Sequence, residues 1–261
     1  MLAQFSRTEL LLGREAVDKL KNTRVAVFGI GGVGGYVCEA LVRTGIGAFD
    51  LVDNDKVSLT NLNRQIIATH STVGRYKTEV MRERMLDINP DVDVRVHNCF
   101  FLPETADDFP FEEYDYVVDA VDTVTAKIGL VMKCREMGVP VISSMGAGNK
   151  IEASGFKVAD IYKTRMCPLA KVMRYELKRR GVKKLKVVYS EEKPITPVEN
   201  TMEEGAAEET TSVNKGADPK GKRPAVKKSV PGSLAFVPSA AGLIIAGEVI
   251  KDLTGLRGTM G

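Results

Sequence analysis

Short runs of apolar residues alternate along the chain with longer stretches of helical periodicity. The apolar runs predict strands at residues 24–28, 49–52, 92–97, 116–120, 139–143, 185–189 and 233–237, and the periodic stretches predict helices at 34–44, 73–88, 126–137 and 169–180. Runs such as VAVFG and YVVDA are apolar at nearly every position, which is typical of parallel strands covered by helices on both faces. The pattern therefore predicts an α/β fold with a doubly wound, mostly parallel sheet, in which a C-terminal part completes the sheet begun by a Rossmann-like first half.

The composition fits one globular domain. With 261 residues, of which 44% are hydrophobic and 27% charged, the chain can form a sizeable core, and we expect a single domain over residues 1–261. Residues 191–228 depart from this composition because they are poor in large apolar side chains, with acidic residues first and basic residues later. We expect a mobile surface loop there, within the domain.

Cysteine spacing and hydropathy narrow the class of protein. The four cysteines, at positions 38, 99, 134 and 167, form no CxxC pair, so we expect no zinc site. The first residues contain no long apolar segment, and we therefore expect reduced thiols and a cytoplasmic location. Residues 229–247 carry no charge, but Pro231 and Pro238 would interrupt a membrane-spanning helix. We expect instead a buried strand followed by a helix in the core or in a subunit interface.

A glycine-rich turn links the first predicted strand to the first predicted helix. The sequence GIGGVG places Gly29, Gly31, Gly32 and Gly34 where backbone N–H groups at a helix N-terminus can approach a phosphate. Asp53 ends the second strand, where an acidic residue commonly binds ribose hydroxyls. These residues fit NAD and ATP equally well, so the choice between the two nucleotides depends on the residues that follow.

Polar and charged residues beyond the second strand favour ATP. The segment DNDKVSLTNLNRQ contains Asp55, Asn61, Arg64 and Gln65, and Lys77 follows in VGRYKTEVMRERM. ATP carries more charge than a dinucleotide, and its pyrophosphate leaving group needs neutralisation, for which Arg64 and Lys77 are suitable. For either cation taken alone, a solvated surface position is the alternative interpretation.

These motifs, in this order, resemble a known family. GxGGxG, DxD, NLNRQ and the lysine after Gly-Arg-Tyr are similar to motifs of the ThiF/MoeB adenylating family, whose relatives include the ubiquitin-activating enzymes. DAVDTVTAK resembles the acidic segment of that family and LLGREAVDKL its N-terminal arginine segment, so that the likeness runs from about residue 10 to residue 148. The resemblance implies an enzyme whose Rossmann-like half binds ATP and Mg²⁺ and attaches AMP to a carboxylate.

The resemblance also implies roles for individual residues. Asp53 would hold the ribose, and the phosphates would be held by Asn61, Arg64 and Lys77. Asp122 would help to place Mg²⁺. Catalysis by such a site is mainly positioning and charge neutralisation, with no protein nucleophile.

The N-terminal arginine would act across a homodimer. By the resemblance, Arg14 reaches the phosphates bound to the partner subunit. It lies in RTELLLGREAVDKL, whose apolar residues predict an amphipathic helix that packs against another surface; these are Leu10, Leu11, Val17 and Leu20.

The second half of the chain resembles one branch of this family, the tRNA threonylcarbamoyladenosine dehydratases. The likeness lies in SSMGAGNKIEASGFKVADIYKTRMCPLAKVMRYELKRRGV, KVVYSEEKP and PGSLAFVPSAAGLIIAGEVI. It implies that the partner is tRNA carrying threonylcarbamoyladenosine beside the anticodon. ATP would activate the threonyl carboxylate, and the carbamoyl group of the substrate would then close a ring with loss of water.

Three alternatives stay open at this point. An adenylyltransferase for a ubiquitin-like sulfur-carrier protein shares the fold, although the CxxC pairs usual in that group are absent. An NAD-dependent oxidoreductase shares the glycine turn, but Arg64 and Lys77 count against it. A nucleotide-binding module without catalysis is the third, disfavoured because the expected phosphate-handling residues are present. A monovalent cation is a further possible cofactor.

A basic segment in the second half is the candidate RNA surface. Pro168 predicts a helix start, and Leu169, Met173 and Leu177 form one apolar face of that helix. The other faces carry Lys171, Arg174, Lys178, Arg179 and Arg180, and lysines follow at positions 183, 184 and 186. This local charge suits tRNA phosphates although the net charge of the chain is only +3; a solvated helix without a partner is the alternative.

The remaining reactive side chains are expected to be structural. Cys167 stands at the N-cap position of that helix, where we favour a buried structural thiol over a covalent role. Cys38 and Cys134 lie in helical patterns and are expected in the core, whereas Cys99 is left unassigned. The two histidines, His70 and His97, lack the spacing of metal ligands.

Overall fold

The computed structural model describes residues 3–198 and 231–256. These residues form the strands β1 (Arg24–Phe28), β2 (Ala48–Val52), β3 (Asp93–His97), β4 (Tyr116–Asp119), β5 (Val141–Ser144), β6 (Phe156–Asp160) and β7 (Lys186–Ser190). They also form the helices α1 (Ser6–Leu12), α2 (Arg14–Lys21), α3 (Gly34–Thr44), α4 (Lys77–Ile88), α5 (Val124–Met137), α6 (Pro168–Arg179) and α7 (Phe236–Thr254). The α/β class predicted from the sequence is confirmed.

The strands form one sheet in the order β3-β2-β1-β4-β5-β7-β6. Neighbouring strands are parallel except for β6 and β7, which pair antiparallel with Phe156 opposite Ser190. The chain first builds outward from β1 to β3 and then returns to the other side of β1 with β4. Sheets of this kind bind ligands at such a switch point, beyond the carboxyl ends of the strands.

Helices cover both faces of the sheet. On one face, α2, α3, α4 and α7 pack over Val25 and Val27 of β1. On the other face, α5 packs over Ala26 and Phe28 of the same strand, and α6 packs over Val187 of β7. Successive side chains of a strand point to opposite faces, so the continuous apolar run of β1 serves both layers. This is the doubly wound arrangement that the sequence predicts.

The predicted strand at 233–237 is wrong. Residues 231–234 form no regular structure, and α7 begins at Phe236. This run has no charged positions and too few polar ones to separate the period of a strand from that of a buried helix. Pro238 fits because it lies in the first turn of α7, where a backbone N–H has no helical partner. The helix packs closely on α3, since a Cβ atom on Gly242 would lie 2.5 Å from the carbonyl oxygen of Val33.

Two further elements differ from the prediction. Helix α4 begins at Lys77 rather than at residue 73, because Gly74 adopts φ +87 and separates the helix from a short 3-10 turn at His70–Thr72. Strand β6 is not predicted from the sequence, since FKVAD carries charges at two of five positions. It forms at the sheet edge, where such polar positions are tolerated.

The N-terminal segment forms two helices rather than one. Gly13 adopts φ +82 between α1 and α2 and ends the first helix. Val17 and Leu20 of α2 are buried in the core, as an amphipathic helix requires, but Leu10 and Leu11 of α1 are 89% and 82% exposed.

The loop expected at 191–228 falls outside the described residues from position 199 onward; residues 191–198 follow β7 without regular structure. Among the helices that the described ranges contain, each is too short or too polar to cross a lipid bilayer. The described part of the charge-free segment therefore supplies the buried helix α7 instead of a spanning one.

Candidate active site

The glycine turn lies at the carboxyl end of β1. Gly29 adopts φ +91, and a Cβ atom on it would lie 2.6 Å from the carbonyl oxygen of Ala120. A Cβ atom on Gly34 would lie 1.8 Å from the carbonyl oxygen of Gly29. Both positions therefore need glycine for the turn itself. Gly31 and Gly32 are half-buried in the same turn, which continues directly into α3.

Asp53 links this turn to the end of β2. Its Oδ2 accepts a hydrogen bond from the Ile30 N–H at 2.7 Å, and its Oδ1 accepts one from the Asp55 N–H at 2.8 Å. Burial raises the pKa of the Asp53 carboxyl above its ordinary value, although the charge of Lys77 and these two N–H donors act in the opposite direction. Each carboxyl oxygen keeps a second lone pair for a ligand hydroxyl.

Lys77, the first residue of α4, is held at the same end of the sheet. Its Nζ donates to Asp55 Oδ2 at 2.7 Å, and its backbone N–H donates to the Asp55 carbonyl oxygen at 3.0 Å. The side chain of Lys77 is 7% exposed, whereas that of Asp55 is 54% exposed. A buried ammonium with one solvated partner and further donors is suited to an anionic ligand.

Gln65 points a buried, unsatisfied oxygen into this region. The residue is 6% exposed, and its Oε1 has no hydrogen-bond partner among the described residues. Its Nε2 lies 4.0 Å from the position of a Cβ atom on Gly31. Because an unpaired buried polar atom costs free energy, this oxygen indicates a missing donor such as a ligand hydroxyl or amino group.

Arg64 and Asn61 approach from the same segment. The Arg64 side chain packs 3.6 Å from the position of a Cβ atom on Gly32, and its Nη1 donates to the Thr60 carbonyl oxygen at 2.9 Å. Burial lowers the pKa of the guanidinium from its ordinary value, and no carboxylate of the described chain lies within ion-pair distance to offset that burial. The buried Asn61 accepts from the Ser58 N–H at 3.1 Å and thereby closes a 3-10 turn, Leu59–Asn61.

Asp122 lies in the exposed loop between β4 and α5. The loop begins against the glycine turn, through the contact between Ala120 and Gly29, and the Ala120 N–H donates to the Phe28 carbonyl oxygen at 2.8 Å. Its start is therefore fixed at the switch point of the sheet, beside the turn that the sequence assigns to phosphate.

A buried ion pair, which is not predicted from the sequence, lies under this loop. Lys127 Nζ lies 3.1 and 3.2 Å from the two Asp119 carboxyl oxygens and donates to the Ser144 carbonyl oxygen at 2.7 Å. Asp119 also accepts from the Ser143 hydroxyl and, at 3.3 Å, from the Val121 N–H. The pair ties the loop to β4 and β5. The available signal was a lysine in the first turn of α5, eight positions after an aspartate that ends a buried strand.

Within residues 3–198 and 231–256, no group of three or more histidine, cysteine, aspartate and glutamate side chains could hold a metal ion alone. Mg²⁺ is commonly bound through one or two carboxylates together with substrate phosphates and water. The single exposed carboxylate of Asp122 fits that mode, because the phosphates would supply the other ligands.

Arg14 does not join these residues in its own chain. Its side chain is 80% exposed and lies 3.9 Å from Asp18. It borders a groove of about 340 Å³ together with Gly45 and Asn89, which precede β2 and follow α4. Lys77 begins α4, so the groove lies at the opposite end of that 12-residue helix, roughly 18 Å away.

The basic helix α6 presents only part of its predicted charge to solvent. Arg174 donates to the Thr164 carbonyl oxygen at 3.0 Å, and Arg180 pairs with Glu176. Lys171, Lys178 and Arg179 are exposed. Lys186, beyond the helix, donates to Asp252 at 2.7 Å and is not part of an open basic surface.

The other predicted structural residues lie as follows. Cys167 is the N-cap residue of α6 and is 3% exposed. Cys38 and Cys134 are fully buried, and burial raises the pKa of both thiols. Cys99 is exposed. His97 Nε2 lies 2.8 Å from Asp50 Oδ1, a hydrogen bond that joins β3 to β2.

Comparison with known proteins identifies the family of the chain and supports its fold. The sequence matches the ThiF family over residues 5–260. It is 45% identical over 254 residues to the tRNA threonylcarbamoyladenosine dehydratase of Bacillus subtilis. The aligned residues cover 97% of this chain and 95% of that protein. The structure is similar to E. coli tRNA N6-threonylcarbamoyladenosine dehydratase, TcdA, in complex with ATP, with a TM-score of 0.82 and 32% identity over 99% of this chain and 96% of that chain. The AMP complex of the same enzyme gives a TM-score of 0.81 and 33% identity over 97% and 94%. The glycine turn, the Arg64–Gln65 segment and Lys77 lie within the matched range, and the chain is a member of the ThiF family.

Proposed function

We propose that this chain is an ATP-dependent tRNA threonylcarbamoyladenosine dehydratase. The observation that carries the proposal is the arrangement of Arg64, Gln65 and Lys77 beside a glycine turn at the switch point of the sheet. Two cations and an unsatisfied amide oxygen at that point suit a nucleoside triphosphate better than a dinucleotide. The 45% identity to the Bacillus subtilis dehydratase supports the choice of substrate within the family.

The first step of the proposed reaction activates a carboxylate. An oxygen of the threonyl carboxylate attacks the α-phosphorus of ATP, a new P–O bond forms, and the bond to the bridging oxygen breaks as pyrophosphate leaves. Arg64 and Lys77 neutralise charge on the phosphates, while Asp53 accepts hydrogen bonds from ribose hydroxyls. Since the charge on pyrophosphate grows as the bond breaks, these cations stabilise the transition state more than the bound substrate.

The second step closes a ring. The carbamoyl group of the substrate attacks the activated carbonyl carbon and gives up one proton to solvent, and AMP leaves with the oxygen that the carboxylate has lost. The two steps together remove one water from the modified adenosine. No side chain of the protein needs to form a covalent bond, in agreement with the buried positions of Cys38, Cys134 and Cys167.

Mg²⁺ belongs to this proposal as a partner of the phosphates. Asp122 would hold it together with phosphate oxygens, and its charge would help to neutralise the leaving pyrophosphate. The buried pair of Lys127 and Asp119 fixes the start of the loop that carries Asp122.

The partner and the assembly are further parts of the proposal. Lys171, Lys178 and Arg179 give α6 an exposed basic face for tRNA phosphates. A homodimer would bring Arg14 of one subunit to the phosphates bound by the other, which suits an arginine that lies at the far end of α4 in its own chain. A tRNA-modifying enzyme of this kind would act in the cytoplasm.

The proposal is tested by measuring AMP released from ATP. Release should depend on tRNA that carries threonylcarbamoyladenosine, and unmodified tRNA or a carrier protein ending in Gly-Gly should give little. AMP release that follows the carrier protein instead would identify the sulfur-carrier activity. Lys77→Ala should lower kcat roughly 10²–10³-fold, whereas Lys56→Ala, an exposed lysine 5.0 Å from the Tyr76 ring centroid, should change it little.

A further inference from the structure

An aromatic side chain stands at the centre of the exposed basic face of α6. Tyr175 is 63% exposed, and Val172, one turn earlier, is 45% exposed. Lys171 precedes Tyr175 by four positions, and Lys178 and Arg179 follow by three and four, so all three cations are its neighbours on the helix surface. The guanidinium carbon of Arg179 lies 5.5 Å from the centroid of the Tyr175 ring. We refer to Lys171, Val172, Tyr175, Lys178 and Arg179 as the α6 outer face.

The packing of the helix does not account for this face. Helix α6 is anchored through Ala170, Met173 and Leu177, which are fully buried in one core cluster. Tyr175 and Val172 lie on the other side and bury no comparable area. An exposed apolar surface of this kind, bordered by polar residues, is typical of an interaction site.

The charge of the outer face selects an anionic partner. Within the described residues, no carboxylate lies within 4.0 Å of the Lys171 or Lys178 ammonium. Glu176, the acidic residue of the helix, is engaged by Arg180 and lies 3.9 Å from Arg179. A ring of cations around one aromatic side chain matches a strand of nucleic acid, whose phosphates meet the cations while a base stacks on the ring.

Helix α6 starts at the edge of the sheet where the parallel strands end, which is also the edge that carries the glycine turn. Helix α6 begins beside the loop that follows β5, since Leu169 Cβ lies 4.0 Å from the position of a Cβ atom on Gly146. Tyr175 is seven residues beyond Pro168, about 10 Å along the helix axis. Roughly three stacked nucleotides, at about 3.4 Å each, would span the stretch of helix from Pro168 to Tyr175.

We propose that Tyr175 is a stacking platform for an unpaired base of a single-stranded RNA loop, with Lys171, Lys178 and Arg179 on the flanking phosphates. The identification of the RNA as the anticodon loop of the substrate tRNA rests on the proposed function. The stacking site itself does not, because it requires neither ATP nor chemistry. Tyrosine supplies a flat apolar surface at low entropic cost, and every base has a face that can stack on it.

Binding is measured with two synthetic RNAs, a hairpin with a single-stranded loop and a blunt duplex of equal length, at several salt concentrations and without ATP. Tyr175→Ala should weaken hairpin binding five- to 150-fold, or about 1–3 kcal/mol, and leave duplex binding unchanged. Tyr175→Phe keeps the ring and should bind the hairpin like the wild type. Lys178→Gln should weaken both RNAs and reduce the slope of log K against log salt by about 0.7–0.9, whereas Tyr175→Ala should leave that slope unchanged.

Several outcomes would overturn the stacking site. These are wild-type affinity of Tyr175→Ala for the hairpin, equal losses on hairpin and duplex, or failure of the wild-type chain to bind the hairpin. A change of oligomeric state in Tyr175→Ala, measured by analytical ultracentrifugation, would instead assign the face to a contact between two copies of this chain. If Tyr175 supports hairpin binding but modified tRNA does not stimulate AMP release, the stacking site is retained and the proposed function is rejected.

Discussion

At the residue scale, Lys127 shows how a buried charge is retained. Its side chain is 1% exposed and Asp119 is fully buried, so each charge depends on the other. Removing one partner of a buried pair leaves the other charge without compensation.

We expect Lys127→Met to lower the free energy of unfolding by about 3–5 kcal/mol, measured by urea denaturation at neutral pH. Tyr116→Phe is the matched control, because it removes a hydrogen bond of 2.7 Å to Asp252 at the opposite end of β4 without leaving a buried charge. It should cost about 1 kcal/mol. Equal losses of unfolding free energy in the two variants would mean that the ion pair stabilises the fold no more than a single hydrogen bond does.

A second residue, Asp50 of β2, makes stability depend on pH. Burial alone would raise the pKa of its carboxyl, but hydrogen bonds with His97 and Arg24, each 2.8 Å long, outweigh burial and hold that pKa below its ordinary value. The folded chain therefore binds this proton more weakly than the unfolded chain. The stabilisation is complete above the ordinary pKa of about 3.9 and is lost as the pH falls through the lowered value.

Asp50→Asn should accordingly cost about 1–3 kcal/mol at pH 7, and the difference from the wild type should shrink below about pH 4. Urea denaturation across this pH range measures it. Asp93→Asn removes the other, 58% exposed carboxylate from Arg24 and should cost less than about 1 kcal/mol. A difference between Asp50→Asn and the wild type that grows on acidification would contradict the assignment.

The chemistry of single residues was only partly visible in the sequence. Lys77, Arg64 and Gln65 stand in motifs, so their types and spacing could be read directly, and their catalytic roles stay predictions. The ion pair of Asp119 and Lys127 is not predicted from the sequence, because only the fold shows that Lys127, in the first turn of α5, points back at β4. Arg174 is predicted to belong to the basic surface, but its side chain instead donates a hydrogen bond to Thr164. The sequence does not reveal this contact, because Thr164 is ten positions away, on a preceding turn.

At the element scale, the local pattern of hydrophobic residues predicts most helices and strands correctly. The prediction is wrong where that pattern has no clear period. Strands β1 and β4 were predicted because their apolar runs are short and bounded by glycine or acidic residues. The run from residue 233 was assigned to a strand because no charge revealed the helical period of α7. Strand β6 is not predicted for the opposite reason, because its sequence contains charged residues. Such residues are tolerated at the edge of the sheet, and the sequence does not show that β6 lies there.

The glycine turn offers a test at this scale. Gly34→Ala places a methyl group where it would overlap the Gly29 carbonyl oxygen at 1.8 Å, so the backbone of the turn must shift. We expect at least a tenfold loss of ATP affinity by calorimetry, because the N–H groups of the turn lose their positions. Gly247→Ala on α7, with no atom within 4 Å of its Cβ position, should leave ATP affinity unchanged and raise stability by up to about 1 kcal/mol. Unchanged ATP affinity in Gly34→Ala would place the phosphates elsewhere.

At the scale of the whole molecule, strand order brings distant motifs together. Residues 29–34, 53–65, 77 and 119–122 come from separate stretches of the sequence, and they meet because β1 pairs with both β2 and β4. The sequence predicted a doubly wound sheet but not its order, since hydrophobic pattern does not specify which strands pair. The separation of Arg14 from this site is likewise a property of the complete fold.

That separation allows a test of the proposed homodimer. Within one chain, α4 lies between Arg14 and Lys77, with Asn89 beside the arginine and Lys77 at the other end. The exposed leucines of α1, at positions 10 and 11, are next to Arg14 and leave apolar surface for a partner subunit. A two-fold dimer would exchange such segments reciprocally, so that each site receives its arginine from the other subunit.

Arg14→Ala and Lys77→Ala chains should each be nearly inactive in AMP release when measured alone. If Arg14 acts across the interface, a mixed dimer contains one site that combines an intact Lys77 with an intact Arg14 from the partner. Mixing after subunit exchange should then restore activity, up to about half of the wild-type value per mixed dimer, because one of its two sites is complete. If Arg14 acts within its own chain, each site of the mixed dimer lacks one cation and no activity returns. Differently tagged chains, purified together, show that mixed dimers have formed, and their inactivity would exclude a shared site.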